Sequence, residues 1–363
     1  MTTVATALTN VRVFDGERLT DPRTVVIADG RISDTAPADT TVDGKGGALL
    51  PGLIDAHIHL DGVENLKNAA HWGITTMLDM ATPPALVTTL RGRPGLTDIR
   101  SVGYPASAPG GMQTTLMGFP AFTAVTGPDD AERFVAERVA EGSDYIKIIV
   151  ENPRIMGTAA FDGPTIAALV KAAHAWNLLV IAHATSTPAF QLAADARVDV
   201  LTHAPIDAPI SEALAQEIAA AGLIAIPTLV MMRGVASKSN LPTHAGGTTD
   251  YHNAVRTVAA LRSANVPILA GTDANSAPGS PFQVKHGESL HEELALLVAA
   301  GLTPVEALRG ATTLPAKLFG LEDRGAVQPG LRADLLLVEG DPMTDIGATR
   351  AIQGIWIDGE RVR

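Results

Sequence analysis

Two histidines separated by one residue are the first feature of this sequence that could do chemistry. His57 and His59 lie in the apolar stretch at residues 52–59. If this stretch is a strand, the two side chains point to the same face. Two imidazoles on one face supply about half of the ligands that a divalent metal ion needs. The chain has no Cys to supply thiolates, and the pair alone could equally be structural.

Three further candidate ligands each end an apolar run. His183 follows residues 178–182, His203 follows residues 198–202, and Asp273 follows residues 268–272. A single histidine in such a place is often a satisfied core residue. An unpaired carboxylate is costly to bury, so Asp273 should either cap a helix or meet a cation.

A lysine inside an apolar run is the least ordinary residue of the sequence. Lys147 lies between isoleucines in the run at residues 145–150. Burial favours the neutral amine, which can capture carbon dioxide as a carbamate. A carbamate is an anion with two oxygens that can bridge two metal ions. The alternative is a lysine whose ammonium group reaches the strand end and pairs there with a carboxylate.

The elements that must position these residues form a repeating pattern. Apolar runs alternate with Ala-rich helical segments, such as those at residues 129–141 and 165–176. The pattern predicts an α/β fold, a (β/α)8 TIM barrel whose active site lies at the C-terminal ends of the strands and in the loops that follow them. The eight predicted strands are residues 52–59, 74–80, 98–104, 145–151, 178–184, 198–204, 223–230 and 266–273.

Both ends of the chain have a different texture, with short β-type runs separated by Asp-Gly turns. Neither end can bury much alone, so we expect the two to pair in a small β-sandwich domain. The predicted division is residues 1–50 and 320–363 for the β-sandwich and residues 51–319 for the barrel.

Composition restricts the partners of this 363-residue chain. Hydrophobic residues make up 46% of it, which excludes intrinsic disorder. The net charge is -12 with no basic cluster, so we expect no nucleic acid partner. We expect no membrane partner and a cytoplasmic location, because no apolar run approaches the roughly 18 residues of a membrane span and no basic leader is visible. A homo-oligomer is compatible with the sequence.

The ligand-type residues and their neighbours resemble the amidohydrolase superfamily. Residues 51–59 (PGLIDAHIH) look like its entry motif, and residues 271–273 (GTD) look like its motif at the eighth strand. The segments 302–308, 311–313 and 330–335 are similar to those of the branch that contains prolidase-like, imidazolonepropionase-like and ochratoxinase-like enzymes. The resemblance covers nearly the whole chain.

This resemblance implies roles for the six residues. His57 and His59 would bind the more buried metal ion, His183 and His203 the other, and Lys147 would bridge them as a carbamate. Asp273 would be a ligand and the catalytic proton carrier. The cofactors would be two divalent metal ions, with zinc as the first choice for nitrogen and oxygen ligands. A hydroxide bridging the ions would cleave an amide bond of a small, fairly apolar substrate: an N-acyl amino acid, a dipeptide-like molecule or a cyclic amide.

Three other functions are weighed against this one. A lactone or carbamate ester hydrolase would use the same metal site. A mononuclear deaminase is disfavoured, because Ser186 stands where related deaminases have a glutamate. A non-catalytic assembly protein is disfavoured, because all six ligand positions are filled.

The loops after the strands supply the candidate substrate contacts. They include apolar residues for a pocket wall and polar residues that could meet a substrate. Glu292 and Glu293 are predicted to lie on a solvated helix face. The candidate substrate-binding residues are Met117, Phe119, Arg154, Met231, His252 and His291.

Overall fold

The computed structural model describes residues 5–115, 117–152, 159–238, 249–277, 280 and 282–363. Strands and helices alternate through the middle of the chain, and strands predominate at both ends. The fold therefore mixes α and β structure, as the sequence predicts. Within the described ranges, no helix is long and apolar enough to cross a lipid bilayer.

One eight-stranded mixed sheet contains strands from both ends of the chain. Strand β5 pairs in parallel with β1 and antiparallel with β13. The apolar side chains of Leu8, Leu49, Leu335 and Trp356 belong to one buried cluster on this sheet, so the pairing of the two ends is what covers them. The strands are β1 (Thr6–Val13), β2 (Arg23–Ala28), β3 (Arg31–Ser33), β4 (Thr40–Asp43), β5 (Ala48–Pro51), β13 (Leu335–Val338), β14 (Ile352–Ile357) and β15 (Glu360–Arg361).

Two smaller sheets are wholly parallel, and they carry most of the candidate ligands. The first has the order β6-β7-β8 and the second the order β12-β11-β10-β9. Every residue of β6, β7 and β9 is buried, which is why these strands read as continuous apolar runs. The strands are β6 (Leu53–Ile58), β7 (Ile74–Asp79), β8 (Asp98–Ser101), β9 (Ile146–Ile149), β10 (Val180–His183), β11 (Val200–Thr202) and β12 (Ile224–Ile226).

Single-residue bridges connect the parallel sheets to each other. Ala106 pairs in parallel with Ile148 of β9. The segment at residues 266–274 pairs with both of its neighbours, because Ile268 bridges Ala225 of β12 and Ala274 bridges Ile58 of β6. Together with the ladders inside the two sheets, these bridges make a continuous chain of parallel neighbours.

The predicted eighth strand, residues 266–273, is corrected by the structure, which shows bridged but irregular backbone there. Gly271 packs so closely on β6 that a Cβ at this position would lie 2.9 Å from the backbone nitrogen of His57. The amides of Thr272 and Asp273 both donate to the His57 carbonyl oxygen, at 3.2 and 2.8 Å. The backbone therefore bends at its end instead of continuing a regular ladder.

Helices fill most connections, and polar side chains cap several of them. Asp162, Ser186 and Ser211 each accept a hydrogen bond from an amide in the first turn of the helix that follows. The predicted helices 129–141 and 165–176 agree to within two residues with α4 and α5. The helices are α1 (Val63–His71), α2 (Pro84–Leu90), α3 (Met112–Thr115), α4 (Ala131–Ala140), α5 (Gly163–His174), α6 (Thr187–Asp195), α7 (Glu212–Ala220), α8 (Leu229–Ser237), α9 (Tyr251–Ser263), α10 (Glu288–Ala299), α11 (Pro304–Gly310) and α12 (Thr313–Leu318).

Glu293 corrects the prediction of a solvated helix face. Its side chain on α10 is buried, and its two oxygens accept hydrogen bonds from the amides of Leu229 and Val230 at 2.9 and 2.8 Å. The carboxylate thus caps the N-terminus of α8, where the helix dipole favours negative charge. Only Glu292 behaves as predicted: it is partly exposed and pairs with Arg233.

Candidate metal centre

Parallel strand ends bring the six predicted ligands together. His57 lies in β6, and His59 follows the end of that strand. Lys147 lies in β9. His183 is the last residue of β10, and His203 follows β11. Asp273 lies in the segment that bridges β12 and β6, so the side chains come from neighbours around one edge.

Asp273 lies at the centre of this group. Its Oδ1 is 3.0 Å from Nε2 of His59 and 3.4 Å from Nε2 of His57. Its Oδ2 is 3.8 Å from Nδ1 of His203. The Nζ of Lys147 is 3.2 Å from Nε2 of His57. Candidate ligand atoms of His57, His203 and Asp273 lie within 4.8 Å of one another, close enough to bind one ion.

The imidazole rings continue the group toward β10. The ring centroids of His57 and His203 are 4.8 Å apart, and those of His203 and His183 are 4.4 Å apart. His183 thus approaches the others through His203. The structure therefore brings all six predicted residues into one connected cluster.

The backbone at this edge is unusual for residues other than glycine. His203, Thr228 and Asp273 have φ values of 72°, 49° and 57°, in the left-handed region. Such conformations are costly for residues with a Cβ, and they concentrate where side chains must be aimed. Each of the three follows a strand or bridged segment, so the bend turns a side chain toward the cluster.

Threonines and a further histidine hold the ligands in place, and the sequence analysis missed them. Nδ1 of His57 is hydrogen-bonded to Oγ1 of Thr202, and Nδ1 of His203 lies 2.9 Å from Oγ1 of Thr228. The ring of His286 donates from Nε2 to the His59 carbonyl oxygen at 2.7 Å. Bonds of this kind fix ring orientation in metal sites. Short polar residues beside the ligands are too common to be a signal by themselves.

Burial adjusts the protonation of the cluster toward metal binding. Desolvation holds the pKa of His57 and of His203 well below the ordinary histidine value, so both rings are neutral and each keeps a lone pair. Desolvation also lowers the pKa of Lys147 to about 8, although the charge of Asp273 opposes the shift. The neutral amine is therefore accessible near physiological pH.

A buried glutamate that the sequence analysis did not select lies next to His183. Glu151 follows β9 by two residues, and its Oε1 is 2.9 Å from Nε2 of His183. Within the ranges that the structure describes, its Oε2 is buried and has no hydrogen-bond partner, and the same holds for Oδ1 of Asp273. Buried carboxylate oxygens without donors are what a cation site requires. Together with the neutral imidazoles, they make this donor set suitable for divalent metal ions.

The predicted substrate contacts that lie in the described residues do not form a single cluster, unlike the six predicted ligands. Met117 is 38% exposed, and Phe119 packs edge-on to Tyr104 with ring centroids 6.2 Å apart. Met231 is buried inside α8. Arg154 lies outside the described residues.

His252 and His291 are placed in positions that argue against substrate contact. The side chain of His252 is largely exposed on α9 and pairs with Asp250 at 3.0 Å. His291 is buried on α10, where its ring nitrogens lie 2.9 Å from the Trp72 carbonyl oxygen and 3.0 Å from Oγ1 of Thr349. Its polar atoms are therefore used between helices and loops of the fold.

Comparison with known proteins places this geometry in a family. The model of the amidohydrolase family matches residues 48–362. An uncharacterised protein of Mycobacterium tuberculosis is 30% identical over 343 residues, covering 87% of this chain and 85% of that protein. An adenine deaminase of Desulfatibacillum aliphaticivorans is 26% identical over 338 residues, covering 90% of this chain and 53% of the deaminase.

A solved structure shares the fold across the whole chain. The crystal structure of a Xaa-Pro dipeptidase with methionine bound in the active site superposes with a TM-score of 0.83 and 22% identity, covering 99% of this chain and 100% of that one. The family match extends over the parallel strands that carry the cluster and over β5, β13, β14 and β15 of the eight-stranded sheet. The chain therefore belongs to the amidohydrolase family and is, as its sequence predicts, a metal-dependent hydrolase that acts on carbon–nitrogen bonds.

Proposed function

We propose that this protein is a binuclear metal-dependent hydrolase that cleaves an amide bond of a small, fairly apolar substrate. The observation that carries the proposal is that four imidazoles and the buried Lys147 cluster around the buried carboxylate of Asp273. Two divalent ions, with zinc as the first choice, would activate water and polarise the substrate carbonyl.

The ligands divide into two groups around Lys147. His57, His59 and Asp273 are joined by their contacts at 3.0 and 3.4 Å and would hold the more buried ion. The rings of His183 and His203 meet edge to face with centroids 4.4 Å apart, and they would hold the other. Lys147 is 3% exposed. Its carbamate would offer one oxygen to each group, which an ammonium with three donors and no acceptor cannot do.

Asp273 is the residue best placed to carry the proton. Its Oδ1 is buried without a hydrogen-bond partner, and its carboxylate contacts both His57 and His59. We infer that it takes a proton from the attacking water and delivers it to the leaving nitrogen. The carboxylate needs no large movement for this transfer, because the bent backbone already aims it into the cluster.

We further propose that the parallel strands close into a (β/α)8 barrel and that the terminal strands form a β-sandwich domain. The bridges of residues 266–274 to β12 and β6 support closure. Boundaries near residues 50 and 320 are consistent with β5 and β13. Both strands belong to the eight-stranded sheet that contains both ends of the chain, here called the terminal sheet. The expectations of a cytoplasmic location, of a small-molecule substrate without nucleic acid or membrane partners, and of a homo-oligomer rest on the sequence.

The Xaa-Pro dipeptidase structure supports a dipeptide-like or N-acyl amino acid substrate for this chain. A lactone or carbamate ester could be cleaved by the same ligands. The adenine deaminase relative keeps deamination as an outcome to test. Ser186 argues against deamination, because it stands in place of a glutamate and offers no carboxylate to carry a proton. Its side chain caps α6 instead.

One experiment decides among these substrates. Zinc-loaded enzyme is assayed against a panel of dipeptides, N-acyl amino acids, cyclic amides, lactones, carbamate esters and adenine, while bound metal is measured by elemental analysis. We expect turnover of an amide substrate and about two ions per chain. Turnover of esters alone or of adenine alone, or full activity with one ion per chain, would contradict the proposal.

A further inference from the structure

Glu151 is a buried carboxylate that the proposed ligand set leaves unused. It lies four residues after Lys147 and is 4% exposed. Its Oε1 is 2.9 Å from Nε2 of His183. The residue thus enters the cluster from the strand that carries Lys147 and meets the histidine that is farthest from Asp273 in the chain of ring contacts.

Glu151 differs from three other buried carboxylates of the described chain in what surrounds its oxygens. Asp55 accepts from Thr272, and Asp79 accepts from Thr82 and Ser101. Glu293 accepts from two backbone amides. Donors of this kind are how a protein normally compensates a buried charge.

Oε2 of Glu151 has no such donor. Among the described residues, two other buried carboxylate oxygens lack a hydrogen bond, Oδ1 of Asp273 and Oδ2 of Asp334. The second of these lies 3.9 Å from the guanidinium of Arg324, so a cation already faces it. Glu151 therefore shares its pattern with Asp273, the aspartate at the centre of the cluster, and within the described part of the chain it forms no ion pair with a lysine or arginine.

We propose that Glu151 is itself a metal ligand, paired with His183 on the side of the cluster away from Asp273. The inference rests on the proposed function only in assuming that metal binds at this cluster. Two ligand atoms that share one ion at about 2.0–2.2 Å lie roughly 3–3.5 Å apart. The Glu151–His183 separation of 2.9 Å is close to this range, as is the His59–Asp273 separation of 3.0 Å.

Charge gives a second reason for this role. Histidine binds a metal ion as a neutral imidazole, so His183 and His203 alone would leave an ion on their side with only the shared carbamate to balance its charge. A carboxylate without a cation is costly to bury, and so is a dipositive ion without anions. Glu151 supplies a negative charge of its own at this position. It also makes that side less dependent on Lys147.

A carboxylate that only orients His183 would behave differently on substitution. In Glu151→Gln the amide still reaches the ring, but it carries no charge and binds zinc poorly. Loss of a partner that only orients a ligand lowers metal affinity about 10–100-fold. We expect a loss of more than about 100-fold for one ion per chain in Glu151→Gln, and partial recovery in Glu151→Asp, which retains the carboxylate.

The measurement is a titration of metal-free protein with zinc against a competing chelator, with elemental analysis of the purified variants. Asp334→Asn is the matched control, because it removes a buried carboxylate with one unpartnered oxygen outside the cluster. It should bind zinc like the unmodified enzyme. Zinc affinity in Glu151→Gln within about 100-fold of that control would overturn the proposal, because a partner that only orients His183 costs no more than this.

A crystal structure of the zinc-loaded unmodified enzyme tests the same point without a substitution, so it decides the matter if Glu151→Gln does not fold. Either carboxylate oxygen of Glu151 within about 2.2 Å of an ion supports the proposal, and no ion within about 3.5 Å of either oxygen overturns it. A single ion bound by His183 and Glu151 would contradict the binuclear function while supporting this ligand. Two ions without Glu151 would do the reverse.

Discussion

Burial is what makes individual side chains at the metal centre chemically unusual. Lys147 and His57 are almost completely enclosed, and the Lys147 amine lies 3.2 Å from an imidazole nitrogen of His57. In water both residues would be ordinary bases. Inside the cluster the charged forms are disfavoured, which leaves lone pairs available for metal and for carbon dioxide.

Substitution of His57 or His59 by Ala should remove metal and activity together. Each ring supplies one bond to an ion. Loss of a ligand should therefore lower the metal affinity by more than the 10–100-fold that follows from loss of an orienting partner. Bound metal measured after purification should fall by about one ion per chain, and kcat/KM should fall more than about 100-fold. His71→Ala, in the exposed last turn of α1, is the control. Unchanged metal content would show that the pair is structural.

Substitution of Lys147 tests the carbamate. Lys147→Ala should lose at least one ion per chain and kcat should fall at least about 100-fold, because the bridging anion disappears. A short carboxylic acid should restore part of the activity by occupying the vacated space. Lys147→Arg should fail as badly as Ala, since the guanidinium stays protonated and forms no carbamate.

Direct observation complements these variants. Electron density at the Lys147 amine of metal-loaded enzyme should extend by a planar carboxyl group. A bare ammonium there, or retained activity in Lys147→Arg, would favour a single-ion mechanism with His57, His59, His183 and Asp273 as ligands.

At the scale of elements, buried polar groups join helices to the segments that surround the site. Glu293 of α10 caps α8, which begins directly after Thr228, and Thr228 in turn contacts His203. His291, two residues before Glu293 on α10, is hydrogen-bonded to the carbonyl of Trp72 and the hydroxyl of Thr349. Helix α10 is thus connected both to the metal centre and to the segment between β13 and β14.

The stability of the fold should depend on the protonation of His291. Burial lowers its pKa to about 4, so the folded protein keeps the ring neutral while the unfolded chain takes up a proton below about pH 6.5. The contribution of neutral His291 to the free energy of unfolding is fully present above pH 6.5 and is lost as the pH falls toward 4. The loss should reach about 3 kcal/mol at the lower end.

Chemical unfolding of metal-free protein between pH 7 and 4 measures this effect. As the pH is lowered from 7 to 4, the free energy of unfolding should decrease less steeply in His291→Gln than in the unmodified protein. His252→Gln is the control, because that side chain is largely exposed on α9. Parallel pH curves for the unmodified protein and His291→Gln would contradict the assignment.

The whole molecule is assembled from segments that are far apart in sequence. The terminal sheet pairs β5 with β13. A buried Arg324 reaches from the C-terminal part of the chain to Thr76 and Asp98, each at 2.9 Å, in the first parallel sheet. The metal centre likewise combines residues from both parallel sheets. Bound ions should therefore tie together segments that otherwise meet only through packing.

Removal of metal should lower the thermal stability of the whole protein. An ion present at about 1,000 times its dissociation constant stabilises the folded state by about 4 kcal/mol, so two such ions contribute about 8 kcal/mol. For a chain of this size we expect the melting temperature to fall by roughly 10 °C on chelation and to recover on addition of zinc. Differential scanning calorimetry with and without chelator measures the change. An unchanged melting temperature would show that the ions add nothing to the fold.

Local pattern was sufficient to predict the α/β repeat and to single out the six residues of the cluster, although the strand expected before Asp273 is irregular. Apolar runs ending in His or Asp are visible in the sequence because burial and strand direction act over a few neighbouring residues. The same local signals suggested the pairing of the terminal strands, since neither end could cover its own apolar face.

Tertiary structure alone decided which polar residues are buried and what faces them. Glu151 and Glu293 look like ordinary charged residues in the sequence, yet one faces His183 and the other caps α8. His291 looked like a substrate contact and is enclosed between Trp72 and Thr349. Burial of a polar group depends on partners dozens or hundreds of residues away, and no periodicity along the chain records those partners.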